Sequence, residues 1–185
     1  MAIFLDTGKI EEIKRFHEYG IIRGVTTNPS ILVKEGLGTN LQDLKKKFIE
    51  IADLINPLPL SLEVTSNETS EMFEQAEIFA GWADNINVKI TIHGPNGELN
   101  NLKVINELEN KRQIRVNVTA MMSAQQCFLA AMAGATYVSI FGGRVNNMGY
   151  DCTKEIRKLR DLLDDFKFDS KIIVGSTREV INITE

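Results

Sequence analysis

The 185-residue sequence predicts an α/β protein built on a parallel sheet. Three observations carry that prediction. Short apolar runs alternate with longer amphipathic ones, seven times along the chain. The connections between them are short. A polar side chain sits at or just past the end of every short run. Repeats of this kind are βα units joined by right-handed crossovers. The composition, 43% hydrophobic and 25% charged, is that of an ordinary globular chain, and length and continuity predict one domain over residues 1–185.

The elements follow in order. Ile3 to Asp6 is a short strand. Lys9 to Tyr19 places Ile10, Ile13, Phe16 and His17 at helical spacing, and Gly20 stops the helix. Arg23 to Thr27 is the second strand. Asn28-Pro29-Ser30 opens a short helical turn. Leu41 to Ile55 is a longer amphipathic helix, broken by Pro57 and Pro59. Leu60 to Thr65 is a strand. Glu68 to Ala83 is a helix with Met72, Phe73, Ala76, Phe79 and Ala80 inward. Ile86 to Ile92 is the fourth strand, and Pro95-Asn96-Gly97 is a turn. Leu99 to Leu108 is helical and Ile114 to Val118 is the fifth strand. Ser123 to Ala133 is a helix closed by Gly134. Ala135 to Phe141 is the sixth strand, followed by a Gly142-Gly143 loop. Asp151 caps a helix running to Asp165, Lys171 to Gly175 is the seventh strand, and a further helix starts at Arg178.

Two closures fit seven βα units. An open doubly wound sheet that binds a dinucleotide would carry G-x-G-x-x-G after its first strand, and none is present. The other closure is a (β/α)8 TIM barrel, which needs eight units. The expectation is therefore a barrel domain of which this chain supplies seven units, lacking the C-terminal βα unit.

Charge and cysteine usage exclude several classes. A net charge of −4 argues against nucleic acid as a partner, since phosphate binding wants a basic face. The two cysteines, Cys127 and Cys152, read as reduced thiols of a cytoplasmic protein. No basic leader precedes an apolar run at the N-terminus, and no stretch approaches 18 apolar residues, so neither a signal peptide nor a membrane span is expected. No His/Cys/Asp cluster has metal-ligand spacing. Lys45-Lys46-Lys47 reads as a solvated helix face, Met121-Met122 as packing, His17 as structural, and His93 as a loop residue.

The strand ends carry the chemistry: Asp6, Asn28, Glu63, Lys89, Asn117 with Thr119, Ser139 with Phe141 and then Arg144, and finally Ser176 with Arg178. Barrel enzymes build their active sites on that face. Alternation sharpens the point. Ile86, Val88 and Ile90 share one face of the fourth strand; Asn87, Lys89 and Thr91 share the other. Ser61 and Glu63 repeat the pattern on the third strand, as do Asn117 and Thr119 on the fifth. Keeping such groups inside is costly unless they act on something. A lysine among apolar neighbours is pushed toward the neutral amine, which attacks carbonyls to form a Schiff base. Carboxylates are its natural proton shuttles, which nominates Asp6 and Glu63. The bland alternative is that both serve as ion-pair partners of Lys89. Arg144 and Arg178 lie where barrels hold phosphate, and arginine grips phosphate bidentately.

These residues resemble a known family. Gly24-Val25-Thr26-Thr27-Asn28-Pro29-Ser30 is similar to the signature of transaldolases, and Val88-Lys89-Ile90 to the segment holding their Schiff-base lysine. Phe4-Leu5-Asp6-Thr7, Asn117-Val118-Thr119, Ala133-Gly134-Ala135 and Val138-Ser139 extend the resemblance along the chain. The short helices and the immediate start at the first strand resemble the small transaldolase subfamily, which also includes fructose-6-phosphate aldolases.

The resemblance implies a transferase moving a dihydroxyacetone unit between sugar phosphates in the pentose phosphate pathway. Sedoheptulose 7-phosphate and glyceraldehyde 3-phosphate would give erythrose 4-phosphate and fructose 6-phosphate. Lys89 would form the Schiff base, and Asp6 would take the hydroxyl proton during carbon–carbon cleavage. Glu63 would act through a water held by Thr119. Asn28, Asn117 and Ser139 would bind the dihydroxyacetone hydroxyls, and Arg144, Ser176 and Arg178 the phosphate. No cofactor or metal is implied. The implied state is a cytoplasmic homo-oligomer, a pentamer or decamer when full length. Glutamate at Glu63 and phenylalanine at Phe141 resemble transaldolases, whereas the aldolases carry glutamine and tyrosine there. Departures are Thr91 in place of a proline and a longer loop at residues 92–97. Free dihydroxyacetone release would mark an aldolase. Phosphate binding without covalent chemistry would mark a truncated sugar-phosphate-binding protein.

Overall fold

The computed structural model describes residues 2–36 and 40–180. The strands are β1 (Ile3–Asp6), β2 (Ile22–Thr26), β3 (Leu60–Glu63), β4 (Ile86–Thr91), β5 (Val116–Met121), β6 (Tyr137–Phe141) and β7 (Lys171–Gly175). The helices are α1 (Ile10–Glu18), α2 (Pro29–Lys34), α3 (Leu41–Ile55), α4 (Thr69–Ala80), α5 (Asn100–Asn110), α6 (Ala124–Met132), α7 (Gly142–Asn147) and α8 (Cys152–Asp165). Seven parallel strands with intervening helices make this a TIM-barrel-like α/β fold. An eighth strand is not among the described residues. The chain divides within β4 into two compact units, Met1–Lys89 and Ile90–Glu185.

In the first unit the strands pair in chain order, β1 through β4, all parallel. Helices α1 and α3 cover them. Ile13 on α1, and Phe48, Ile51 and Ile55 on α3, are buried against Ile22, Val25, Leu60 and Leu62. Burial of each such side chain stabilises the fold by about 1.5–3 kcal/mol. Trp82 closes the layer, stacked on Phe48 at 6.2 Å and tilted against Phe79 at 4.9 Å. The Asn85 amide donates to the Ala52 and Leu58 carbonyls, both at 2.9 Å, and so fixes the approach to β4. Gly24 is required by close approach: a Cβ there would run into the Phe4 ring across the β1–β2 pair.

In the second unit β5, β6 and β7 again follow chain order in parallel. Ser123 and Asp151 cap α6 and α8, accepting from the Gln126 and Lys154 amides at 3.3 and 3.1 Å. Glu109 on α5 ties the starts of two strands together. Its Oε1 accepts from the Val116 and Thr136 amides, both at 2.7 Å. Phe128 on α6 packs against Phe166 and Phe168 after α8. Cys127 and Cys152 are free and buried, and burial pushes the Cys127 thiol up to about 12.

Four local expectations are corrected. The fifth strand starts at Val116 and runs to Met121. Its register with β6 shifts between Val118 and Met121, where Ala120 sits at φ 62°; such a bulge is invisible in an alternation pattern. Gly142-Gly143 is the first turn of α7, not a loop. Gly142 is needed there because a Cβ would lie 2.8 Å from Val174 and 3.0 Å from the Cys152 sulfur. Lys47 is not part of a solvated face: its ammonium lies 3.2 Å from Glu35 and both side chains are largely buried, whereas Lys45 and Lys46 are exposed. Of the helix expected from Arg178, residues 178–180 are not helical and the rest lies outside the described residues. The inward stripe of α4 is led by Met72 and Ala76, with Phe73, Phe79 and Ala80 half-buried.

Candidate active site

Strand β4 is buried on both faces. Its apolar residues Ile86, Val88 and Ile90 and its polar residues Asn87 and Lys89 are all shielded from solvent. The polar face is therefore an interior one, as the alternation predicts and as parallel sheets covered on both sides require.

In the first unit, β3 and β4 pair with Glu63 opposite Lys89 and Ser61 opposite Asn87. The Lys89 Nζ, on a residue only 8% exposed, lies 3.0 Å from the Glu63 Oε2 and donates to the Thr27 carbonyl at 3.1 Å. Thr27 follows directly on β2, so the signature segment supplies a backbone acceptor to the lysine, a contact that no side-chain pattern reveals. Two of the amine's hydrogens are thereby directed, and one position on nitrogen is left for a third partner or a reacting carbonyl. The alternative of an ion pair between Lys89 and the carboxylates holds for Glu63. Asp6 is held differently, accepting from the Thr26 hydroxyl at 2.8 Å across β1 and β2. Asn28 caps α2: its Oδ1 accepts from the Ile31 amide at 3.0 Å.

The loop after Asp6 is pinned by Glu35, a residue that strand-end position does not single out. Its Oε1 accepts from the Gly8 amide at 2.9 Å and from the Thr7 hydroxyl at 3.5 Å, while Lys47 neutralises its Oε2. The signal available was a glutamate twelve residues before a lysine on the next helix, a spacing with no meaning until α2 and α3 are folded.

In the second unit, the Ser139 hydroxyl donates to the Asn117 Oδ1 at 2.7 Å, both residues being buried. Thr119 is 2% exposed, and among the described residues its hydroxyl has no hydrogen-bond partner. A buried hydroxyl left so is a site for water or ligand. The Arg144 guanidinium lies over the Phe141 ring at 5.1 Å. Arg178 donates to Asn147 at 3.5 Å, so α7 both carries Arg144 and receives Arg178. Phe141 pairs with Gly175, and Ser176 follows at φ 55°, half-buried at the end of β7. The loop at residues 92–97 is held by Glu98, which accepts from Asn96 through both its amide and its side chain. The His93 Nδ1 sits 3.0 Å from the Gly94 carbonyl. Among the described residues no cluster of His, Cys, Asp and Glu could hold a metal, and no helix is long and apolar enough to cross a membrane.

Comparison with known proteins bears on these groups. The family model described as transaldolase/fructose-6-phosphate aldolase matches residues 3–185. A protein of Carboxydothermus hydrogenoformans named "Probable transaldolase" is 39% identical over 185 residues, covering 100% of this chain and 81% of its own. One of the same name from Brevibacillus brevis is 37% identical over 185 residues, with the same coverage of both chains. Among solved structures, a 2,3-dimethylmalate lyase of the PEP mutase/isocitrate lyase superfamily matches with a TM-score of 0.60 at 11% identity. That match covers 98% of this chain and 70% of the other, and it bears on the fold alone. With its signature segment, its buried lysine and a match along nearly its whole length, this chain belongs to the transaldolase/fructose-6-phosphate aldolase family.

Proposed function

We propose that this protein is a transaldolase that carries a dihydroxyacetone unit between sugar phosphates on Lys89. The observation that supports it most is the buried Lys89 amine, set 3.0 Å from Glu63 and 3.1 Å from the Thr27 carbonyl. Transfer of a proton from the ammonium to Glu63 frees the nitrogen lone pair for the ketose carbonyl. The carbinolamine that forms loses water to give an iminium, with Glu63 returning the proton to the departing oxygen. Asp6 then takes the proton of the hydroxyl next to the bond that breaks. The aldehyde leaves, and the electron pair of the broken bond is held as the enamine on Lys89. Addition to a second aldehyde, and then of water, reverses these steps. The Thr119 hydroxyl, buried and without a described partner, is assigned to hold a water. Asn28, Asn117 and Ser139 are assigned to the three-carbon unit. Arg144, Ser176 and Arg178 are assigned to the phosphate; Arg144 on α7 lies over the ring of Phe141, the last residue of β6, and Arg178 donates to Asn147 on the same helix. Phe141 offers no hydroxyl to position water for release of the three-carbon unit, which favours transfer over simple cleavage.

We further propose that the domain is a (β/α)8 barrel to which residues 1–185 contribute seven units, working in the cytoplasm as an oligomer. The test is borohydride trapping with fructose 6-phosphate, followed by intact mass and peptide mapping. A three-carbon adduct on Lys89 is expected. An adduct elsewhere, or none on folded protein, overturns the assignment. Free dihydroxyacetone accumulating without an acceptor aldehyde would make the protein an aldolase.

A further inference from the structure

One residue on the inner face of β4 has no part in this scheme. Asn87 lies two residues before Lys89 and so on the same face of the strand. It is 0% exposed, and among the described residues neither its Nδ2 nor its Oδ1 has a hydrogen-bond partner. Exchanging the two atoms by rotating the amide changes nothing, because both are orphaned. A primary amide has two donors and an acceptor with two lone pairs. Leaving even one of these buried and unmet is destabilising. Orphaned groups of this kind in native interiors are met by buried water. The neighbour across the β3–β4 pair is Ser61, likewise 0% exposed, and on the same face of β3 as Glu63. The first unit thus stacks two polar pairs on one face, Ser61–Asn87 beneath Glu63–Lys89.

We propose that the Asn87 amide holds an ordered water one layer below Lys89, and that Asn87 is a positioning residue for the amine. The second half rests on the Schiff-base reading; the water site does not. A hydrated amide gives the Lys89–Glu63 pair a dipolar floor. A hydrocarbon in its place raises the cost of burying the two charges, and the pair moves toward solvent to recover hydration. The amine would then leave the place from which it attacks.

A crystal structure of the protein, free and as the borohydride-trapped adduct, tests the site. A water within about 3.2 Å of the Asn87 amide in both states is expected. A dry amide, an amide turned onto a protein group, or one bonded directly to a hydroxyl of the adduct overturns it. Two variants test the positioning. Asn87→Leu fills the volume with hydrocarbon, and kcat is expected to fall about tenfold, the scale of one hydrogen bond. KM should stay within about twofold and the melting temperature should not drop. Asn87→Ser keeps the polarity and admits a second water, and kcat should stay close to wild type. A drop in kcat that tracks melting temperature in both variants, or an unchanged kcat in Asn87→Leu, overturns the role. If wild-type Lys89 makes no adduct, the Schiff-base reading and the positioning role fail together, and the water in the free protein still decides the site.

Discussion

The two units of the chain handle their interior polar groups differently. In the first, charge is met by charge: Lys89 faces Glu63, and Lys47 faces Glu35. In the second, the buried groups near the strand ends are neutral. Ser139 donates to Asn117, Thr119 has no described partner, and the cationic groups Arg144 and Arg178 are exposed. A buried charge must be paired in the free protein, because an unpaired one is too costly to keep. A neutral hydroxyl or amide can wait for water or ligand at a cost of only a few kcal/mol. The arginines avoid the cost by standing in solvent. The groups thereby separate by chemical role. Those assigned to move protons and form bonds lie in the unit of paired charges, and those assigned to grip the substrate lie mostly in the other.

That division can be broken most sharply at Lys89. Lys89→Met should abolish adduct formation and lower kcat by at least about 10³-fold, the scale of losing a covalent nucleophile. It should also destabilise the first unit by about 3 kcal/mol, since Glu63 is left buried without its counter-ion. Steady-state kinetics and urea unfolding read the two effects separately. A variant that keeps its activity would show that the paired charges are structural only.

The second unit should respond in KM. Arg144→Met removes the guanidinium assigned to the phosphate, and if a charged hydrogen bond there is worth about 1.5–3 kcal/mol, KM for fructose 6-phosphate should rise about ten- to a hundredfold, with borohydride trapping retained at saturation. Added inorganic phosphate should inhibit the wild type more strongly than the variant. A fall in kcat at unchanged KM would move Arg144 out of the binding set.

Glu35 sharpens the comparison from the side of the first unit. Glu35→Gln keeps an acceptor for the Gly8 amide but loses the charge that faces Lys47. The expected loss of stability is about 1 kcal/mol, and the loop that follows Asp6 loosens. Hydrogen exchange at Gly8 should speed up, and kcat should fall less than it does in Glu35→Ala.

The smallest effect belongs to Glu109, the half-buried carboxylate that ties β5 and β6 together. Desolvation pushes its carboxyl above the usual range, and the amides of Val116 and Thr136 pull it back only in part. The folded protein therefore holds that proton more tightly than the unfolded chain. The stability this confers is present below the ordinary value of 4.5 and is lost as pH rises through the folded value. Glu109→Gln retains the Oε1 that accepts both amides and removes the charge. Its melting temperature should match the wild type at about pH 4 and equal or exceed it at about pH 8. A variant less stable at the higher pH than at the lower, relative to wild type, would contradict this.

Much of the fold could be read in advance because its signals are local. β1, β7 and α3 fall where alternation and helical spacing place them, and Ser123 and Asp151 cap their helices. The misses are places where packing overrides a local signal. Two glycines read as a loop, yet they open α7, where Val174 and Cys152 leave no room for a Cβ at Gly142. Three lysines in a row read as a solvated face, yet Glu35 draws the third one inward. The strand-end residues were recognisable by type and position. Their pairings were not, since Glu63 and Lys89 lie on different strands with a whole helix between them and meet only in the β3–β4 register.

By itself, then, the sequence determined the order of strands and helices, the buried polar face of β4, and the family resemblance carried by Gly24 to Ser30 and by Lys89. Periodicity and residue chemistry are properties of neighbours along the chain. Only the tertiary structure decided that Lys89 would be held by Glu63 and the Thr27 carbonyl, that Asp6 would instead face Thr26, and that Asn87 and Thr119 would be buried with no described partner. The reason is physical: hydrogen bonds and ion pairs depend on distances of a few ångströms between residues remote in sequence, and strand register sets those distances.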